Sequence, residues 1–179
     1  MKKNLVIFDG SNFYHKAKHL APEIHLTNFN YKKLGELVTS SKNSDIEYCV
    51  GEIKIYKNAN SKTQGLYAGQ QTLFYNLELQ GISIKKGFMM KIKDVYHEKG
   101  VDVRIATDIV RGALKNEYDI CYLISSDSDL LPAIETAIED GKKIVYVAFE
   151  RAPVSKALGI NCSEVVFITR SMIESCTIN

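Results

Sequence analysis

Cys121-Tyr122-Leu123-Ile124-Ser125-Ser126-Asp127-Ser128-Asp129 is the stretch that decides the fold. Four apolar residues run straight into small polar residues and two carboxylates. A short apolar run that stops in this way reads as a parallel strand, buried on both faces, entering a loop. The pattern occurs near the start as well, where Leu5-Val6-Ile7-Phe8 meets Asp9-Gly10-Ser11-Asn12. In open α/β sheets ligands bind outside the carboxyl ends of the strands. The two loops therefore predict one crevice lined by Asp9, Asp127 and Asp129. Crowded carboxylates raise one another's pKa. A divalent cation relieves that repulsion, and hard oxygen donors suit Mg²⁺ or Mn²⁺.

Working outward, strands are expected over Asn4–Phe8, Asp45–Tyr56, Tyr118–Ile124, Lys143–Phe149 and Val165–Ile168. Helices are expected over Asn12–His19, Tyr31–Thr39 with Leu34, Leu37 and Val38 inward, Thr63–Gln80, Val101–Leu114, Leu130–Glu139 and Pro153–Leu158. The helix over Val101–Leu114 has the clearest stripe, with Val101, Ile105, Ile109 and Ala113 on one side. Ile82-Ser83-Ile84 and Phe88-Met89-Met90 suggest a short strand or a hairpin turning at Lys85-Lys86-Gly87, and Lys57–Lys62 a loop. Strands alternating with helices imply an α/β fold, with a mostly parallel sheet and helices on both faces. Residues 1–179 read as a single domain, with no boundary, repeat or low-complexity segment.

The composition, 45% apolar and 25% charged, is that of a soluble globular chain. The net charge of +2 gives no strong field for nucleic acid, so any basic surface is local. The four cysteines, at 49, 121, 162 and 176, show no CxxC spacing and no nearby His, which excludes a standard zinc site. They suit a reduced, cytoplasmic setting. Four apolar residues after Asn4 are too few for a signal-peptide core, and no run is long enough to span a membrane. A G-x-S-x-G elbow, a Walker A run and a G-x-G-x-x-G loop are all absent.

Each candidate also has an ordinary structural role to offer. Asp9 with Gly10 could form an Asx turn. Asn12 could cap the helix that follows, or orient Asp9 or a phosphate. Asp129 suits an N-cap of the helix from Leu130, whereas Asp127 has no such local role and follows its strand directly. Asp102 and Asp108 fall about 60° either side of Ile105, at the flanks of the buried stripe. Asp102 near the helix start favours the helix dipole, and Asp108 could pair with Arg104 on the surface. The turn-like Lys99-Gly100-Val101-Asp102 could instead aim Asp102 at the rim. Lys85, Lys86, Lys91, Lys93, His97 and Lys99, interleaved with Phe88 and Tyr96, offer a way to hold single-stranded nucleic acid, or else form a solvated edge. His15, Lys16, Lys18 and His19 form a second basic cluster beside Asn12.

The ordered set Asp9-Gly10-Ser11-Asn12, then Lys99-Gly100-Val101-Asp102 with Asp108, then Ser125-Ser126-Asp127-Ser128-Asp129 resembles the NYN family, the LabA-like branch of the PIN-domain ribonuclease superfamily. The later stretch Lys142–Phe149, with Ser155, Leu158 and the Val165–Ile168 strand, is also similar. Ser126 stands where that family usually has Gly, and Leu130 where it usually has an aromatic residue. The resemblance implies a PIN-like, Rossmann-like three-layer α/β/α sandwich and a Mg²⁺- or Mn²⁺-dependent ribonuclease site. Asp9, Asp108, Asp127 and Asp129 would be metal ligands, and Asp102 a ligand or the residue that positions the attacking water. Asn12, Lys99, Lys85, Lys86 and Lys91 would hold single-stranded RNA. A homodimer is a further implication. Two other readings remain open: a non-catalytic RNA- or protein-binding module, and a metal-dependent phosphatase. The phosphatase needs a second Asp two residues after Asp9, where this chain has Ser11.

Overall fold

The computed structural model describes residues 2–55, 60–92 and 95–178, and it describes the side chains of 91, 92, 95 and 96 no further than their backbone. Its described residues form β1 (Asn4–Asp9), α1 (Gly10–Leu20), α2 (Tyr31–Thr39), β2 (Ser44–Glu52), α3 (Ser61–Leu79), β3 (Ser83–Ile92), β4 (Val95–Lys99) and α4 (Val101–Leu114). β5 (Ile120–Ile124), α5 (Leu131–Glu139), β6 (Lys143–Phe149), α6 (Lys156–Asn161), β7 (Glu164–Ile168) and α7 (Arg170–Ser175) follow. The sheet order is β4-β3-β2-β1-β5-β6-β7. All neighbours are parallel except β4, which runs antiparallel to β3 at one edge.

Strand periodicity divides the apolar residues between two cores. Val6 and Phe8 of β1 enter a core with Phe13, Tyr31, Leu34, Phe74 and Leu77, under α1, α2 and α3. Leu5 and Ile7 point the other way, to Val101, Ile105, Ile109 and Ile134 under α4 and α5. Helices thus cover both faces of a mostly parallel sheet. Rings on the first face meet edge-on, as Phe8 does with Phe13 at 5.2 Å and with Tyr31 at 5.6 Å between centroids. The order of strands reverses between β1 and β5: from β1 the chain moves out to β2, and from β5 it moves to β6 on the other side. The carboxyl ends of these two strands form the topological switch point, where such folds bind ligands.

Several expectations shift. β3 is one continuous strand through Lys85-Lys86-Gly87, because Glu47 to Glu52 of β2 pair in register with Ser83 to Phe88. The hairpin lies further on, between β3 and β4. Leu37 faces outward at 42% exposure while Leu34 and Val38 are buried. α7 and β4 go unread in the sequence, being short and rich in charge. Tyr56 and positions 57–59, read as a strand end and a loop, lie outside the described residues. Among the described residues, no helix is long and apolar enough to cross a membrane.

Candidate functional site

Asp9 ends β1 and also begins α1. Its Oδ1 accepts the Asn12 N–H at 3.1 Å, so Asp9, rather than Asn12, is the N-cap of the helix. The tight exit from the strand depends on Gly10, where a Cβ would stand 2.6 Å from the Tyr48 ring and 2.8 Å from the Cys49 carbonyl oxygen. β5 delivers the opposite wall. Ser125, itself buried, donates its hydroxyl to Asp9 Oδ2 at 2.8 Å and accepts the Asp127 N–H at 3.1 Å. Ser126 donates to Asn12 Oδ1 at 3.1 Å. The Ser126 hydroxyl therefore ties the β5 loop to α1, a bond that Gly could not make.

Asp127 carries the capping role that the sequence suggested for Asp129. Its Oδ1 accepts the Asp129 N–H at 2.9 Å and starts the 3-10 turn Ser128–Leu130 that leads into α5. The Asp129 side chain is left exposed. Asp102 comes from the first turn of α4. That helix starts at Gly100, whose φ of 79° is a left-handed conformation that glycine adopts without strain.

The fold holds these acids within reach of one another's charge. Asp9 is only 5% exposed, and burial raises its pKa. The Asn12 N–H and the Ser125 hydroxyl pull it back down, while the charges of Asp102 and Asp127 push it up further. Asp102 is also raised, by burial first and then by Asp127 and Asp129. Residues from β1, α4 and the β5 loop therefore feel one another's charge at a single rim. None of Asp9, Asp102 and Asp127 forms a salt bridge with a described residue.

Glu98 of β4 joins this rim, and the sequence reading misses it. It lines the same pocket of about 300 Å³ as Asp9, Asn12, His15, Lys16 and Asp102. Burial raises its pKa, the Gly51 N–H (2.6 Å from Glu98 Oε2) lowers it, and Asp9 and Asp102 raise it. In His97-Glu98-Lys99 it reads as part of a solvated edge. Only the pairing of β4 beyond β3 reveals its place. His15 and Lys16 bring a basic flank to the pocket, and burial lowers the pKa of Lys16.

Other expected residues lie elsewhere. Asp108 is six residues beyond Asp102, about 9 Å further along the helix axis. It is 3% exposed, and its partner is Arg111, at 2.8 Å, rather than Arg104. It lines a different cleft, of about 910 Å³, which also involves Asn4, Ser44 and Ser83 at the amino ends of β1, β2 and β3. This cleft is larger than the rim pocket; its buried acids Glu47 and Asp108 hold Lys85 and Arg111 through one oxygen each, leaving Glu47 Oε2 and Asp108 Oδ2 without a hydrogen-bond partner among the described residues, whereas the acids of the rim have no salt-bridge partner there at all. Lys85 and Lys86 point to opposite faces of β3. Lys85 is bound to Glu47 at 3.1 Å, and Lys86 to Glu52 at 2.7 Å above the Phe74 ring. Neither lines the pocket at Asp9. Lys99 is exposed at the end of β4, paired with Phe88. The side chains of Lys91 and Tyr96, and all of Lys93, lie outside the described residues.

Among the described residues, no three His, Cys, Asp or Glu side chains stand close enough to enclose an ion. The donors present are nonetheless those of a hard cation: carboxylates, an amide oxygen and hydroxyls. Mg²⁺ keeps several waters and uses only one or two carboxylates, which such an open rim can supply.

A search of the curated proteins finds no match. Among solved structures, the chain is similar to a protein of unknown function from Vibrio parahaemolyticus, with a TM-score of 0.66, 19% identity and 93% of each chain covered. That likeness concerns the fold. The family model of the NYN domain matches residues 3–169, from the first strand to the entry of α7 and so across every element of the rim, and the chain belongs to the NYN domain family.

Proposed function

We propose that this chain is a metal-dependent ribonuclease that hydrolyses phosphodiester bonds of single-stranded RNA at the rim between β1 and β5, on a three-layer fold of PIN type. NYN domains are in general nucleases. The observation that carries the reading is the mutual charge of Asp9, Asp102 and Asp127, three acids far apart in sequence with no cationic partner among the described residues.

Asp9, Asp102 and Asp127 would hold Mg²⁺ or Mn²⁺, with Asp129 and Glu98 reaching it through water. Such an ion, when bound, lowers the pKa of a water and stabilises charge on the scissile phosphate. The protein's own residues do the rest. The Asn12 N–H and Ser125 hydroxyl fix the orientation of Asp9 and favour its ionised form. Asn12 is held by Ser126 at the mouth of the pocket. Lys16 offers positive charge and His15 a ring N–H to a phosphate beside the acids, and Lys99 extends that surface. Asp108, Lys85 and Lys86 have no part in this site.

One observation favours a second reading, a binding module that does not cut: the carboxylates do not form a closed ligand set as they stand. A single assay decides between the two. Labelled single-stranded RNA with Mn²⁺ is expected to be cleaved by the wild type, protected by EDTA, and cleaved orders of magnitude more slowly by Asp9→Asn and Asp127→Asn. Cleavage by both variants at the wild-type rate defeats the ribonuclease reading. Binding without EDTA-sensitive cleavage selects the module.

A further inference from the structure

We propose that the groove between α1 and α3 is a nucleobase pocket, receiving the base of a nucleotide next to the phosphate held at the acidic rim. The inference rests on the nucleic-acid reading above. The groove encloses about 490 Å³, and Ser11 and Glu98 are walls of both this groove and the acidic pocket. A strand whose phosphate lies against Asp9 and Asp102 can therefore turn a neighbouring base into the groove. Adjacent residues of one helix serve the two pockets: His15 lines the acidic one and Tyr14 lines the groove.

The walls have the chemistry of a base site. Tyr14, 48% exposed, presents a ring, and Leu66, Leu73 and Val50 supply apolar surface. Planar bases stack on such surfaces whatever their identity. The volume is in the range that takes a small organic group. Lys18 stands in the wall as well, its ammonium held by the Pro22 and Ile24 carbonyls, and gives a cationic edge for a flanking phosphate. Gln70 does not read the base, since its amide already accepts the Ile53 N–H at 2.8 Å and donates to the Gly51 carbonyl at 2.8 Å.

The helix wall adds a second point. Gly65 and Gly69 lie one turn apart in α3 and both line the groove. Glycine disfavours a helix interior, and here no packing explains it: a Cβ at either position would meet nothing within 4 Å. A side chain at either position would therefore stand in open space beside the groove. A larger side chain at either site fills the groove without disturbing the fold.

The test uses the full chain and its Gly69→Leu and Tyr14→Ala variants, with thermal melting to show that each is folded. Cleavage of a short oligoribonucleotide is followed with Mn²⁺, and its binding is measured by anisotropy with Ca²⁺ in place of Mn²⁺. Both variants are expected to weaken binding about tenfold, the scale of one lost base stack, and to raise KM by more than they lower kcat. The loss is expected to shrink on an oligomer carrying abasic sites. Unchanged affinity and KM in both variants overturn the pocket and leave the groove to a protein or other apolar partner. Should the wild type fail to cleave, the ribonuclease reading falls, and the anisotropy arm still decides the pocket by the same tenfold criterion.

Discussion

The Ser125 hydroxyl donates to Asp9 Oδ2 and accepts the Asp127 N–H, so one small side chain joins the two strand ends of the switch point. Its bond favours the charged form of a carboxylate whose pKa burial raises. Ser125→Ala is therefore expected to raise the pKa of Asp9 further. The acidic limb of the pH–rate profile should move to higher pH, and the rate near neutrality should fall about tenfold, the worth of one hydrogen bond to a charged group. A profile of cleavage rate against pH checks this, and an unmoved acidic limb speaks against Asp9 as a working carboxylate. At the same scale, Asp127 shows how a capping role and a functional role share one residue. Its Oδ1 is occupied by the Asp129 N–H, while its charge still reaches Asp9 and Asp102.

α4 carries two aspartates with opposite duties. Asp102, in the first turn, has no hydrogen-bond or salt-bridge partner among the described residues and is repelled by Asp127 and Asp129. Asp108, two turns on, is buried against Arg111. Asp102→Asn is expected to raise the metal-free melting temperature by about 2 °C and to abolish the stabilisation by Mn²⁺. Arg111→Met strands a buried carboxylate and should cost about 3 kcal/mol, while its Mn²⁺ response persists. Melting curves of both variants with and without Mn²⁺ separate the two roles, and a Mn²⁺ response that grows in Arg111→Met, where Asp108 is freed of its cation, would return Asp108 to the site. This contrast also marks what the sequence can and cannot say. Asp9 and Asp127 are legible because a buried strand ending on a carboxylate is a local pattern, and the boundaries of α4 follow from its helical stripe and those of β6 from an unbroken apolar run. Asp108 misleads because spacing alone puts it at the flank of the stripe, and only packing on β2 and β3 shows which depth of the sheet it meets. Glu98 is hidden for the opposite reason. Its carboxylate is held by a Gly51 N–H two strands away, a long-range pairing that its charged neighbours conceal. Lys85 and Lys86 look like one patch in sequence, yet the pleat sends them to opposite faces.

At the scale of the molecule, the doubly wound sheet gathers Asp9, Glu98 and Asp102 with pKa values raised above those of free carboxylates, burial being the leading cause for each. In the window from the unfolded carboxylate values up to the raised folded ones, the folded state binds more protons than the unfolded state. Stability of the metal-free protein therefore falls as pH rises through that window, and the loss persists at neutral pH. A divalent cation binds the ionised acids and reverses the penalty, so the gain in melting temperature on adding Mn²⁺ should grow from pH 4 to pH 7, with proton release on binding. Melting curves across that range check the sign, and a gain that shrinks with rising pH contradicts it. The most direct test is anomalous diffraction from crystals soaked in Mn²⁺. The account predicts a peak between the ends of β1 and β5, with oxygens of Asp9 and of Asp127 or Asp102 as direct or water-bridged ligands. A peak in the cleft of Glu47 and Asp108 instead, or no peak within a hydration shell of Asp9 at saturating Mn²⁺, would contradict it.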